Sequence, residues 1–136
     1  MKRSQKYVDT ETFHFHNQNP KNRITGDCAF RAISLATGKP YNECVMEMAK
    51  KMCETGYALN DKKGEDAYLK SLGWIKMPQP RKGDNTKYTG EEFCKIFKGT
   101  CIANIGGHHI VCIKDGKVWD IWNSTQGTIG NYWIKA

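Results

Sequence analysis

Gly26-Asp27-Cys28-Ala29-Phe30-Arg31-Ala32-Ile33-Ser34 carries the organising signal of this chain. Ala29, Phe30, Ile33 and Ala36-Thr37 recur at the i, i+3, i+4, i+7 spacing of an amphipathic helix. Gly38 closes it and Pro40 follows, so the helix cannot run on. Asp27 reads as its N-cap, which puts Cys28 in the first turn. The partial positive charge there favours thiolate over thiol. The same backbone N–H groups can hold an oxyanion beside the sulfur. Of the six cysteines (Cys28, Cys44, Cys53, Cys94, Cys101 and Cys112), only Cys28 has this placement.

Downstream, a second helix is expected over 41–54, with Cys44, Val45, Met48, Ala49 and Met52 on one face, and a third over 65–72. Trp74 to Met77 reads as a short strand, and Pro78 to Asn85 as a loop. Thr89 and Glu92 have the spacing of a capping box that opens a fourth helix. The last third changes period. Cys101 to Ile105, His108 to Lys114, Lys117 to Trp122 and Gly127 to Ile134 read as strands, with Asp115-Gly116 as a two-residue hairpin turn. Helices first and an antiparallel sheet last predict an α+β domain spanning 1–136. Residues 1–20 are polar and mixed, and read as a loosely attached N-terminal segment. Phe13-His14-Phe15-His16 within it alternates like a short strand, with both histidines on one face and no third metal ligand near them.

A nucleophilic cysteine needs a base, and the base an orienting group. If Asp115-Gly116 form the turn, Lys114 pairs with Lys117 and Cys112 with Trp119. His109 and Asp120 then share one face as diagonal neighbours, and His108 pairs directly with Asn123 on the other. The residues therefore offer two dyads, His109–Asp120 and His108–Asn123. Arg31 reads as a solvated position on the helix face.

Composition bounds the rest. The 136 residues are 39% hydrophobic and 26% charged, which excludes disorder and a fibrous fold. No apolar run approaches the ~20 residues that span a bilayer. No apolar stretch follows the basic Met1 to Lys6, so it is not read as a secretory signal. Unpaired thiols in a reducing cytosol are therefore expected. Lys and Arg outnumber Asp and Glu by 21 to 14, a balance that attracts acidic partners. The lysines are scattered, and nucleic acid is not expected as a partner.

The nucleophile stretch resembles that of ovarian-tumour deubiquitinases, D-G-x-C-L-F-R-A-hydrophobic. Cys28 through Tyr41 is also similar to the corresponding run of small papain-like cysteine peptidases of phages and bacteria. Gly107 to Ser124 resembles the His and Asp hairpin that ends those enzymes and that bacteriocin-leader peptidases share. The resemblance implies a papain-like core: a cysteine-led helix packed on an antiparallel sheet carrying histidine and its partner. It implies His109 as base and Asp120 as orienting acid, and keeps His108 and Asn123 as the alternative. Papain-like enzymes carry an oxyanion side chain before the cysteine, commonly Gln at minus six. That position is Asn22 here, and it would act with the Cys28 N–H.

The expected function is a cysteine hydrolase cleaving a peptide or isopeptide bond through a thioester acyl-enzyme, without metal or cofactor. Its partner would be a protein or peptide substrate, acidic in character, with no membrane involved. Its place would be the cytoplasm, that of the host if phage-encoded. A cell-wall amidase or endopeptidase of the CHAP type is the alternative. A non-catalytic papain-like module, such as a phage inhibitor of a host protein, is the reading from another class. Oligomeric state is left open.

Overall fold

Alternation along the C-terminal strands sorts side chains to both faces of a sheet that is covered on each side. The computed structural model describes residues 3–136, with side chains from Gln5 onward; Met1 and Lys2, which open the basic N-terminal run, lie outside the described residues. Among the described residues the order is a 3-10 turn (Arg3–Tyr7), β1 (Phe13–Phe15), α1 (Cys28–Thr37), α2 (Tyr41–Thr55), α3 (Lys62–Ser71), β2 (Trp74–Met77), α4 (Gly90–Ile96), β3 (Thr100–Ile105), β4 (His109–Lys114), β5 (Lys117–Asp120) and β6 (Ile129–Lys135). The fold is α+β.

The helices end where the sequence punctuates them. Left-handed Gly38 and Gly56 close α1 and α2, their N–H groups returning to the Ser34 and Met52 carbonyls. α3 begins three residues before the expected Glu65, because Asp61 caps it by accepting from the Lys63 N–H at 2.8 Å. The capping box of α4 forms as read, between Thr89 and Glu92. On α2 only Cys44 and Met48 are buried, and Met52 stays exposed.

The sheet runs β1-β5-β4-β3-β6-β2. Asp115 (φ 53°) and Gly116 (φ 72°) make the primed turn, and the register is the predicted one, with Lys114 opposite Lys117 and Cys112 opposite Trp119. β4 starts at His109, so His108 belongs to the turn after β3 rather than to the strand. On one face Ile102, Ile110, Cys112 and Trp133 meet α1, α2 and α3. On the other Cys101, Ala103, Val111 and Ile113 pack with Phe93 of α4.

Two corrections concern the edges. The sheet is mixed: β2 adds antiparallel to β6, and β1 adds parallel to β5. The stretch 1–20 is also not loosely attached along its length. Phe13 is 0% exposed within the second cluster. The Val118 N–H donates to the Thr12 carbonyl, the His16 N–H to that of Asp120, and the Asn123 N–H to that of Lys6, each at 2.8 Å. β1 satisfies the open edge of β5 with backbone bonds, which a polar composition does not reveal. No helix among the described residues is long and apolar enough to cross a membrane.

Phe13→Ala is expected to cost about 3–5 kcal/mol, the range for emptying a buried aromatic site. Urea denaturation measures it; a loosely attached segment would change stability by less than about 0.5 kcal/mol.

Candidate active site

α1 opens at Cys28, and its first N–H groups have no intrahelical acceptor; the first such bond is Arg31 N–H to the Asp27 carbonyl at 3.0 Å. β4 opens at His109, opposite that helix end. The His109 ring and the Ile110 N–H both lie close enough to the Cys28 sulfur to lower the pKa of its thiol. His109 Nε2 donates to Asp120 Oδ2 at 2.5 Å, which leaves Nδ1 for Cys28. Trp122 lies against the imidazole, ring centroids 4.9 Å apart.

Asp120, 2% exposed, accepts three donors: His109, its neighbour Ile121 N–H at 2.8 Å, and the Arg31 guanidinium through Nη1. Arg31 Nε donates to Asp27 Oδ1 at 2.7 Å. The other oxygen of Asp27 accepts from Tyr41 Oη at 2.7 Å and Asn19 Nδ2 at 3.0 Å. Helix, loop and sheet are thus joined by one continuous line of charge-assisted bonds. Two expectations are corrected by it. Arg31 is not solvated but 5% exposed, held between two carboxylates. Asp27 makes no side-chain cap bond, because its carboxylate turns to Arg31, Tyr41 and Asn19. The available signal was spacing: Arg31 stands four residues after an acid and three after Cys28, on the same helix face.

Burial pushes the Cys28 thiol up, but the hydrogen bonds from His109 and Ile110 N–H and the charges of His109 and Arg31 outweigh it. The thiol is held below its usual range. Burial would likewise lower His109, yet its bonds to Asp120 and Cys28 carry the imidazolium up to about 9. Near neutral pH the imidazole therefore carries its proton, and that charge favours the thiolate form beside it. Burial drives the Cys94 and Cys112 thiols the other way, to about 12. All six cysteines are free thiols.

The alternative dyad does not form. His108 stands in the β3–β4 turn, and the Asn123 side-chain oxygen is taken by the Thr125 N–H at 2.9 Å and hydroxyl at 2.6 Å. Nor does the structure bring Asn22 to the sulfur. Asn22 is exposed in a left-handed turn (φ 54°), where it accepts from Asn17 Nδ2 at 3.4 Å. The N–H groups at the start of α1, that of Cys28 included, remain as oxyanion donors. His14 and His16 do share a face, but bond to Asp9 and Gln18 respectively, each at 2.7 Å.

Two cavities flank the pair. One of about 200 Å³ holds Cys28, Phe30, Glu65 and Ile110. The other, of about 510 Å³, lies beside His109 and Trp122. His108 lines both. No family model, no curated protein and no solved structure matches the chain.

Arg31→Met would leave Asp27 and Asp120 buried without their shared cation, at a cost of about 3–5 kcal/mol near neutral pH. Burial alone would raise Asp27, but Arg31, Tyr41 and Asn19 hold it below the usual carboxylate range. Its stabilising contribution is therefore present above the unfolded value of about 3.9 and lost as pH falls through the folded one. Urea denaturation across this range should show the gap between wild type and variant narrowing in acid. A gap that is absent at neutral pH would contradict the pairing.

Proposed function

We propose that the chain is a small papain-like cysteine hydrolase that cleaves a peptide or isopeptide bond. The observation that carries this reading is the line Cys28–His109–Asp120, in which one imidazole stands between the thiol and the acid, with its Nε2 bonded to Asp120 and the Cys28 sulfur near enough for each to shift the other's pKa. A histidine that served packing alone would not need both. The cavities on either side of the pair support a substrate chain lying across it, rather than a small molecule held in one pocket.

The chemistry follows from the charges. The Cys28 thiolate attacks the substrate carbonyl carbon, and the oxygen gains negative charge against the N–H groups that open α1. His109 then gives its Nδ1 proton to the leaving nitrogen as the carbon–nitrogen bond breaks, which releases an amine and leaves a thioester on Cys28. Water enters and loses a proton to the now neutral His109. Its oxygen attacks the thioester, the carboxylic product departs, and thiolate and imidazolium are restored. Asp120 keeps the Nε2 proton in place throughout and stabilises the cationic ring. Arg31 holds Asp120, a positioning role, since a guanidinium cannot act as a base. A basic balance of 21 cationic to 14 acidic residues favours encounter with acidic proteins.

Alkylation by iodoacetamide, followed residue by residue with mass spectrometry, tests the nucleophile. Exposed Cys53 is the internal reference. Cys28 should react well below about pH 8.5, the range of a free thiol, and ahead of Cys53. His109→Ala should slow Cys28 by about tenfold or more, since a shift of one pKa unit is a factor of ten in thiolate, and His108→Ala should not. Equal rates for Cys28 and Cys53 would overturn the proposal.

A further inference from the structure

The triad leaves one buried acid without a task. Glu65 stands on the first turn of α3, 4% exposed, and its carboxyl takes part in no hydrogen bond or ion pair among the described residues. The buried acids Asp27 and Asp120 are each fully paired. An unpaired buried carboxyl is costly, and an apolar residue of similar volume would fill the position without that cost. Its turn is well fixed. Asp61 caps it, and Gly64 packs so closely on Ala58 that an added Cβ would meet the carbonyl oxygen at 2.6 Å.

Glu65 lines the cavity of about 200 Å³ that also holds Cys28. The other walls include Ala29, Phe30 and Ile110, apolar surface for a methylene chain, together with the polar Asn60 and His108. Lys62, at the same cavity, is tied to the Gly107 carbonyl through Nζ at 3.0 Å and forms no ion pair with Glu65. Burial, helped by the nearby charge of Asp61 and opposed by that of Lys62, raises the Glu65 carboxyl to about 7. Such a group ionises readily once a cation enters beside it.

We propose that this cavity is a specificity subsite for a basic side chain, lysine or arginine, of the substrate segment bound at Cys28, with Glu65 as its counter-ion. The proposal rests on the reading of Cys28 as nucleophile. The apolar walls cover the stem and the carboxylate takes the charged head, which meets both features of the cavity at once. The net basic surface does not oppose it. Exposed charges are screened over about 8 Å at physiological salt, whereas this pair would meet in contact inside the cavity.

Peptidyl acyloxymethyl ketones test it. The Cys28 thiolate displaces the acyloxy group from the methylene carbon, which leaves a thioether and releases a carboxylate. Lysine and its uncharged analogue norleucine are compared at each of the two residues next to the ketone. The lysine-to-norleucine rate ratio is taken within each protein, so any change in Cys28 reactivity cancels. Wild type is expected to favour lysine by about tenfold or more at one of the positions, a factor worth about 1.4 kcal/mol. Glu65→Gln should bring the ratio close to one, and Glu65→Met, which fills the site without a charge, serves if the first variant does not fold. Equal rates in wild type at both positions, or a lysine preference that survives in either variant, would overturn the subsite and leave the nucleophile standing. Failure of iodoacetamide to modify Cys28 in wild type would overturn both.

Discussion

The Arg31 guanidinium, clasped between Asp27 and Asp120, ties the molecule together. Asp27 begins the cysteine-led helix, and Asp120 ends the strand that carries the orienting acid. One side chain therefore sets how the helix lies on the sheet and how the acid faces the histidine. Buried cations are expensive to hold, and this one is tolerated because two carboxylates surround it and tyrosine, asparagine and backbone donors complete them. Acidic and basic groups alternate along the line: thiol, imidazole, carboxyl, guanidinium, carboxyl. The Cys28 thiol is lowered by the charge of Arg31 as well as by the histidine, so more of the row than the adjacent ring acts on it.

Much of this arrangement was legible in the residues. Asp115-Gly116 admits one tight turn, and that turn fixes the register that brings His109 and Asp120 to one face. Gly38 and Pro40 bound the helix, and its first turn singles out Cys28. These are local signals, each contained within a few residues. What escaped was long-range. A lone arginine on a helix looks solvated until an acid far along the chain is seen to meet it. The alternation of Phe13 to His16 shows a short strand, but three residues do not tell which edge of the sheet it joins or in which direction. Glu65 stood only as the first residue of an expected helix, and the packing of α3 beside Cys28 turns it inward. Asn22 occupied the right interval from the cysteine, but a left-handed turn carries it into solvent.

The cleft is asymmetric in its chemistry. On the Trp122 side the walls are mostly apolar and broad; on the Glu65 side they are narrower and end in an acid. His108, kept away from Asp120 by its place in the turn, lines both sides. The adjacent histidines thus have divided positions. One is fixed at the first residue of a strand between sulfur and carboxylate, and the other is exposed in the turn beside both cavities.

The parallel pairing of β1 with β5 bears on how the protein is made. His16 donates to the backbone of Asp120, so the acid's strand is braced by a segment from the opposite end of the chain. Cys28 leaves the ribosome 81 residues before His109. At a synthesis rate of about 5–20 residues per second, that gap lasts about 4–16 s. Throughout that interval the nascent chain carries a thiol with neither base nor acid. The grouping of Cys28 with His109 and Asp120 can therefore assemble only after β4 and β5 have been made, so it is a late product of synthesis although its first member is an early one.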